Sequence, residues 1–178
     1  SRLKEVLPTG LELYPFQYVG VAFAEMANGR CLIGDDMGIG KTIQALAYVA
    51  LHPENKPYIV VCPSNVKYSW RNEINKWLPD HTVHVVNTGK EDIPRTDFVI
   101  INYDLMHKQE AKLCQLIPKG IIIDESHAIQ NSKAKRTQSV LVVASLCSSV
   151  MCLSGTAINS RPKEFFTTLN LLRSDQFP

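Results

Sequence analysis

The sequence predicts a doubly wound α/β domain in three layers, with a mostly parallel sheet carrying helices on both faces. Short apolar runs rich in β-branched residues recur at 31–33, 58–62, 83–86, 98–101, 120–123 and 150–153, without the polar alternation of a strand half exposed to water. Between them lie stretches with helical spacing, at 16–27, 41–51, 64–77, 104–116, 133–146 and 162–172. Strands covered on both faces and separated by helices are the pattern of parallel βα units.

The elements are justified in order by their punctuation. The first helix carries Phe16, Val19, Phe23 and Met26 on one stripe. Pro53, Pro57, Pro63, Pro79, Pro94 and Pro118 all fall between proposed elements, where a missing amide donor does least harm. Ser64 stands where it can cap the helix after Pro63, and Ser160 stands just ahead of Pro162 in a first turn. No repeat or low-complexity linker interrupts the series, so residues 1–178 read as a single domain.

Composition narrows the function. The 178 residues are 45% hydrophobic and 20% charged, which is ordinary for a folded domain and excludes disorder, collagen and coiled coil. A net charge of +2 predicts no polyanion partner from bulk charge, leaving any nucleic-acid contact to a local patch. The five cysteines are odd in number, form no CxxC pair and sit mostly in apolar runs, which favours reduced buried thiols over a disulfide framework. The histidines lack zinc-ligand spacing. No apolar run approaches the roughly 20 residues needed to span a bilayer, so no membrane partner is expected. An intracellular protein follows, cytoplasmic in a prokaryote or virus and nuclear in a eukaryote.

Two strand ends carry the chemistry. After the first strand comes Gly34-Asp35-Asp36-Met37-Gly38-Ile39-Gly40-Lys41-Thr42, opening a helix as a phosphate-binding loop must. Gly38 and Gly40 permit close backbone approach, Lys41 is placed for the β and γ phosphates, and Thr42 offers a hydroxyl to Mg²⁺. The strict GxxxxGK[ST] pattern needs Gly at 35, where this chain has Asp35. A lysine at the positive end of a helix is unfavourable without an anion to meet it, which argues against an ordinary glycine turn. The run 120–123 ends in Asp124 and Glu125, at the strand edge where open α/β sheets bind ligands. Asp124 suits the Mg²⁺ shell and Glu125 suits orientation of the attacking water. His127, Ser154, Gly155 and Thr156 follow two strand ends and form a candidate link from the nucleotide to the rest of the machine.

The ordered set resembles the first motor lobe of the Swi/Snf-type DNA-dependent ATPases of helicase superfamily 2. The resemblance rests on Leu13-Tyr14-Pro15-Phe16-Gln17, DDMGIGKTIQA from 35 to 45, VVCPSNVKYSW from 60 to 70, Lys76-Trp77-Leu78-Pro79, VIINYDLM from 99 to 106, IIIDESH from 121 to 127, and LSGTAINSRPKEFF from 153 to 166. The DESH form and the SRP-x-E stretch are most similar to the annealing-helicase-like branch. The resemblance implies a RecA-like fold, ATP and Mg²⁺ as cofactors, and DNA, double-stranded or forked, as partner. It implies adenine reading by Gln17, cofactor contacts from Asp36, Gly38, Ile39, Gly40, Lys41 and Thr42, and hydrolysis by Asp124 and Glu125 with Lys41. Pro63, Ser64, Asn65 and Lys67 match a segment that touches the DNA backbone. Ala157 replaces the family's usual Pro, and Gln130 replaces a usual Lys, removing one candidate phosphate contact beside Lys133, Lys135 and Arg136.

The expectation is therefore the ATP-binding lobe of a DNA translocase. Its partner is a second RecA-like lobe of the same parent, which nothing after Leu172 encodes, so the chain reads as one lobe of a longer protein, inactive or very weak alone. Two alternatives stand beside it: the first lobe of an RNA helicase, which shares the phosphate loop and acidic box, and a nucleotide-dependent interaction module without turnover.

Overall fold

The computed structural model describes residues 2–34, 40–129, 131–155 and 172. All six expected strands form and lie in one sheet: β1 (Arg30–Ile33), β2 (Tyr58–Cys62), β3 (Val83–Val85), β4 (Phe98–Asn102), β5 (Gly120–Asp124) and β6 (Ser149–Leu153). Their order is β1-β6-β5-β2-β4-β3, and every pairing is parallel. The four inner strands are buried almost throughout, which is why their sequences show no alternation.

Helices cover both faces. Alternate residues of the strands divide the core: Tyr58, Val60, Cys62, Ile100 and Ile122 pack under α1 (Arg2–Val6), α2 (Pro15–Met26), α3 (Lys41–Leu51) and α4 (Lys67–Trp77). Ile59, Val61, Val99, Ile121 and Ile123 pack under α5 (Met106–Gln115) and α6 (Lys135–Ser145). The three-layer expectation holds, and each face of the sheet is sealed by residues from the opposite pleat. Helix α1 had no sequence signal; it is a single short turn anchored by Leu3. The helix expected over 162–172 lies outside the described residues except for Leu172, which is buried and accepts a hydrogen bond from Arg30 Nε at 3.1 Å.

The stripe of α2 is turned outward: Phe16, Val19, Phe23 and Met26 are exposed, and the helix buries Gln17, Val21 and Ala24 instead. The reason is close approach to α3, since a Cβ on Gly20 would stand 1.7 Å from Gln44 Oε1 and only the small-residue face fits. Ser64 does not cap α4. Pro63 occupies the cap position of a 3-10 turn, Ser64–Val66, and α4 begins after it, leaving Ser64 and Asn65 exposed.

Because all strands run one way, their carboxyl ends share one edge. Register places Ile33 beside Leu153, Leu153 beside Asp124, and Cys62 beside Asn102. Gly34, Ser154, Glu125, Pro63 and Tyr103 thus line up along that edge, although up to 120 residues separate them in sequence.

Candidate active site

Gly40 closes the loop after β1 in the left-handed region, at φ 77°, and its carbonyl accepts the Gln44 N–H at 3.1 Å to start α3. Only glycine takes that conformation without cost. Lys41 and Thr42 are therefore the first two residues of the helix, at its positive end. A Cβ on Gly40 would stand 2.3 Å from Gln17 Nε2, so the Gln17 amide lies directly on the end of the loop. Gln17 is buried, and its Oε1 accepts the Tyr14 N–H at 2.7 Å, closing the start of α2. Gln17 and Gly40 thus pack directly on each other. Asp36, Gly38 and Ile39 lie outside the described residues, as does Thr156.

The acidic pair is held from several sides. Asp124 Oδ2 accepts the Trp70 indole N–H at 2.9 Å, and Asp124 Oδ1 accepts the Glu125 N–H at 2.9 Å. The Tyr103 hydroxyl donates to the Asp124 carbonyl at 2.5 Å and lies 3.4 Å from that of Glu125. Glu125 itself sits at φ 53°, a left-handed conformation costing a non-glycine residue of order 1–3 kcal/mol. These bonds to its amide and to the carbonyls around it fix the turn that aims its carboxylate away from the strand.

Burial and nearby charges compete at the Asp124 carboxyl. Burial raises the Asp124 carboxyl above its usual range and the Glu125 charge adds to this, while the Trp70 indole, the Glu125 amide and the Lys41 ammonium oppose it. Burial holds the Tyr103 phenol well above its usual range, so it stays a donor. The buried thiols are inert for the same reason, with Cys62 pushed up to about 12. All five cysteines are free, as expected.

The linking residues also converge. His127 Nδ1 lies 3.4 Å from Glu125 Oε2 and 3.5 Å from the buried Ser154 Oγ, and Ser154 N–H bonds to Ile33 O at 3.1 Å. A chain of polar contacts therefore runs from the acidic pair to the strand that feeds the phosphate loop. Gly155 follows Ser154 at the same edge.

Pro63 and Ser64 line a cavity of about 300 Å³ together with Asn102, Tyr103, Glu125, His127 and Arg136. Lys67 is not there. It is buried, and its ammonium donates to Val86 O at 2.8 Å, Asn102 Oδ1 at 3.0 Å and Asn87 Oδ1 at 3.4 Å, which uses all three of its N–H groups. Its charge is spent on the protein itself. The sequence reading missed Tyr103 and the bond from Trp70; both stand in quoted motifs, but a buried aromatic carries no sign in the sequence that its polar atom ends on a carboxylate.

A helix opened by a left-handed glycine and a lysine, beside an acidic strand end on a parallel sheet, defines the RecA-like class of nucleotide-using lobes. Residues 17–178 match the SNF2-related domain, and the chain belongs to that family. It is 38% identical over 172 residues to the SWI/SNF-related matrix-associated actin-dependent regulator of chromatin subfamily A-like protein 1 of Xenopus tropicalis, covering 95% of this chain and 18% of that protein. It is 33% identical over 188 residues to the human DNA annealing helicase and endonuclease ZRANB3, covering 99% and 17%. The Sulfolobus solfataricus SWI2/SNF2 ATPase core in complex with dsDNA superposes with a TM-score of 0.80 at 27% identity, over 91% of this chain and 36% of that one. The chain thus spans under a fifth of the length of these two relatives. Among the described residues no helix is long and apolar enough to cross a membrane.

Proposed function

We propose that this chain is the ATP-binding lobe of a DNA-dependent ATPase of the annealing-helicase type, working with a second RecA-like lobe that closes over the nucleotide. The observation that carries the reading is the shared edge: the phosphate-loop helix, the acidic pair and the exposed Ser64–Asn65 turn open side by side, and Glu125 lines the same cavity as Ser64. The printed names of the relatives and the dsDNA in the related complex support DNA over RNA, and the chromatin name of an animal relative supports a nuclear setting.

The donor set fits Mg-ATP. One carboxylate and one hydroxyl suit a cation that takes its remaining oxygens from the substrate's own phosphates and from water. Thr42 and Asp124 would hold Mg²⁺, which when bound neutralises charge on the β and γ phosphates. Gly40 and the first amides of α3 cradle phosphate oxygens, and Lys41 adds a positive charge there. Gln17 keeps its amide group beside the loop for the base. Glu125, raised on its left-handed turn, orients a water and takes its proton, with His127 and Ser154 relaying its state to the strand ends. The Ser64–Asn65 turn meets the DNA backbone, a contact that positions the strand without reading sequence.

In the full-length protein, Glu125→Gln retains Mg-ATP binding and loses DNA-stimulated hydrolysis by about 10²-fold or more, measured by phosphate release and by nucleotide binding in parallel. Undiminished hydrolysis refutes the assignment.

A further inference from the structure

We infer that Trp70 is a positioning residue that ties the DNA-contact turn to the carboxylate of Asp124. The inference rests on the functional reading above and adds a route by which DNA sets the geometry of the hydrolytic site.

The indole has one polar atom, a single N–H donor with no acceptor. Trp70 is 2% exposed, and that one donor is spent on Asp124 Oδ2 rather than on a nearby carbonyl. With Oδ1 already taken by the Glu125 amide, both oxygens of the carboxylate are oriented, one by its own strand turn and one by α4. Charge-assisted bonds of this kind are roughly twice as strong as neutral ones.

Helix α4 starts immediately after the Ser64–Val66 turn, of which Ser64 and Asn65 are exposed, and Trp70 stands on its first turn. Lys67, on the same turn and the same face of the helix, anchors that helix end to Asn102 at the end of β4. Tyr103, the next residue, bonds back to the Asp124 carbonyl. Trp70, Asp124, Tyr103, Asn102 and Lys67 therefore form a closed ring of contacts through α4, β5 and β4. A helix turn is stiff, so a phosphate drawn onto Ser64 and Asn65 shifts the start of α4 as a unit, and the ring carries that shift to the carboxylate.

The test compares two tryptophans of one helix in the full-length protein. Trp77 is also buried, at 4% exposure, and its indole N–H also meets a carboxylate, Glu73 Oε2 at 3.1 Å, but that carboxylate lies on α4 itself. Trp70→Phe and Trp77→Phe thus remove the same atoms from similar surroundings. Trp70→Phe raises the Mg²⁺ concentration for half-maximal nucleotide binding by about 10-fold, the usual effect of losing an outer-shell partner, and lowers the ratio of DNA-stimulated to basal hydrolysis. Its DNA affinity at fixed salt stays at the wild-type value. Trp77→Phe leaves Mg²⁺ dependence and stimulation ratio unchanged, and Trp70→His, which keeps a ring N–H, restores part of both. If Trp70→Phe moves these readouts no more than Trp77→Phe does, Trp70 is a core residue only and the inference is overturned. Asp124→Asn separates the two levels: normal Mg²⁺ dependence in that variant overturns the functional reading itself, whereas a defective Asp124→Asn beside a silent Trp70→Phe overturns the positioning role alone.

Discussion

Gly40→Ala probes the junction of loop, helix and Gln17 in a single atom. At φ 77° an alanine incurs about 1–2 kcal/mol of backbone strain. The added Cβ meets Gln17 Nε2 at 2.3 Å, and the Gln17 side chain is buried with little room to give. Swinging it aside breaks its bond to the Tyr14 N–H, a helix-start bond of about 1 kcal/mol. The sum is about 2–3 kcal/mol, which for a domain of this size lowers Tm by about 4–12 °C. Denaturant unfolding gives the free energy directly, provided the slope with denaturant is unchanged. The two contributions separate in a cycle with Gln17→Ala: in that background the clash has no target, so Gly40→Ala costs only its backbone strain, and the double variant is more stable than additivity predicts by about 1 kcal/mol. A Gly40→Ala variant within about 0.5 kcal/mol of wild type, or strict additivity in the cycle, refutes the packing of Gln17 on the loop and with it the placement of this residue at the nucleotide.

Two further outcomes follow from buried polar groups. Lys67→Met leaves Val86 O and Asn102 Oδ1 without their donor and costs about 1–3 kcal/mol of stability, yet the salt dependence of DNA binding keeps its slope; a slope shallower by about 1 identifies Lys67 as a phosphate contact after all. His81 is held below its ordinary value of 6.5 by burial and by the Lys56 charge, and among the described residues neither buried ring nitrogen has a hydrogen-bond partner. Its folded value is depressed, so stability is full above pH 6.5 and falls as pH drops through the folded value, because the unfolded chain takes up the proton first. His81→Phe flattens that decline in a pH series of unfolding midpoints, and an unchanged decline locates the acid sensitivity elsewhere.

Much of this arrangement was legible in the sequence because strong local rules wrote it. Unalternated runs such as Ile121-Ile122-Ile123 form strands only where both faces are covered, and Gly40-Lys41-Thr42 after a strand has little use besides an anion. His127 and Ser154 were legible as a pair only through their strand ends, and the structure does bring them within 3.5 Å.

What the sequence determined by itself is the six strands with the helices between them and the parallel layering, and it named the candidate phosphate-loop and acidic residues, since each is set by periodicity or spacing within a few residues. Tertiary structure alone decided the strand order, which brings β5 between β6 and β2 and so sets Asp124 among three strand ends. It also decided which face of α2 turns inward. Periodicity marks a stripe but not its direction, and close packing against Gln44 selected the small residues. Finally, it decided where polar atoms end: the Lys67 charge inside the fold and the Trp70 indole on Asp124, because a long side chain's partner is fixed by what the fold brings within about 3 Å of it and not by its neighbours in the chain.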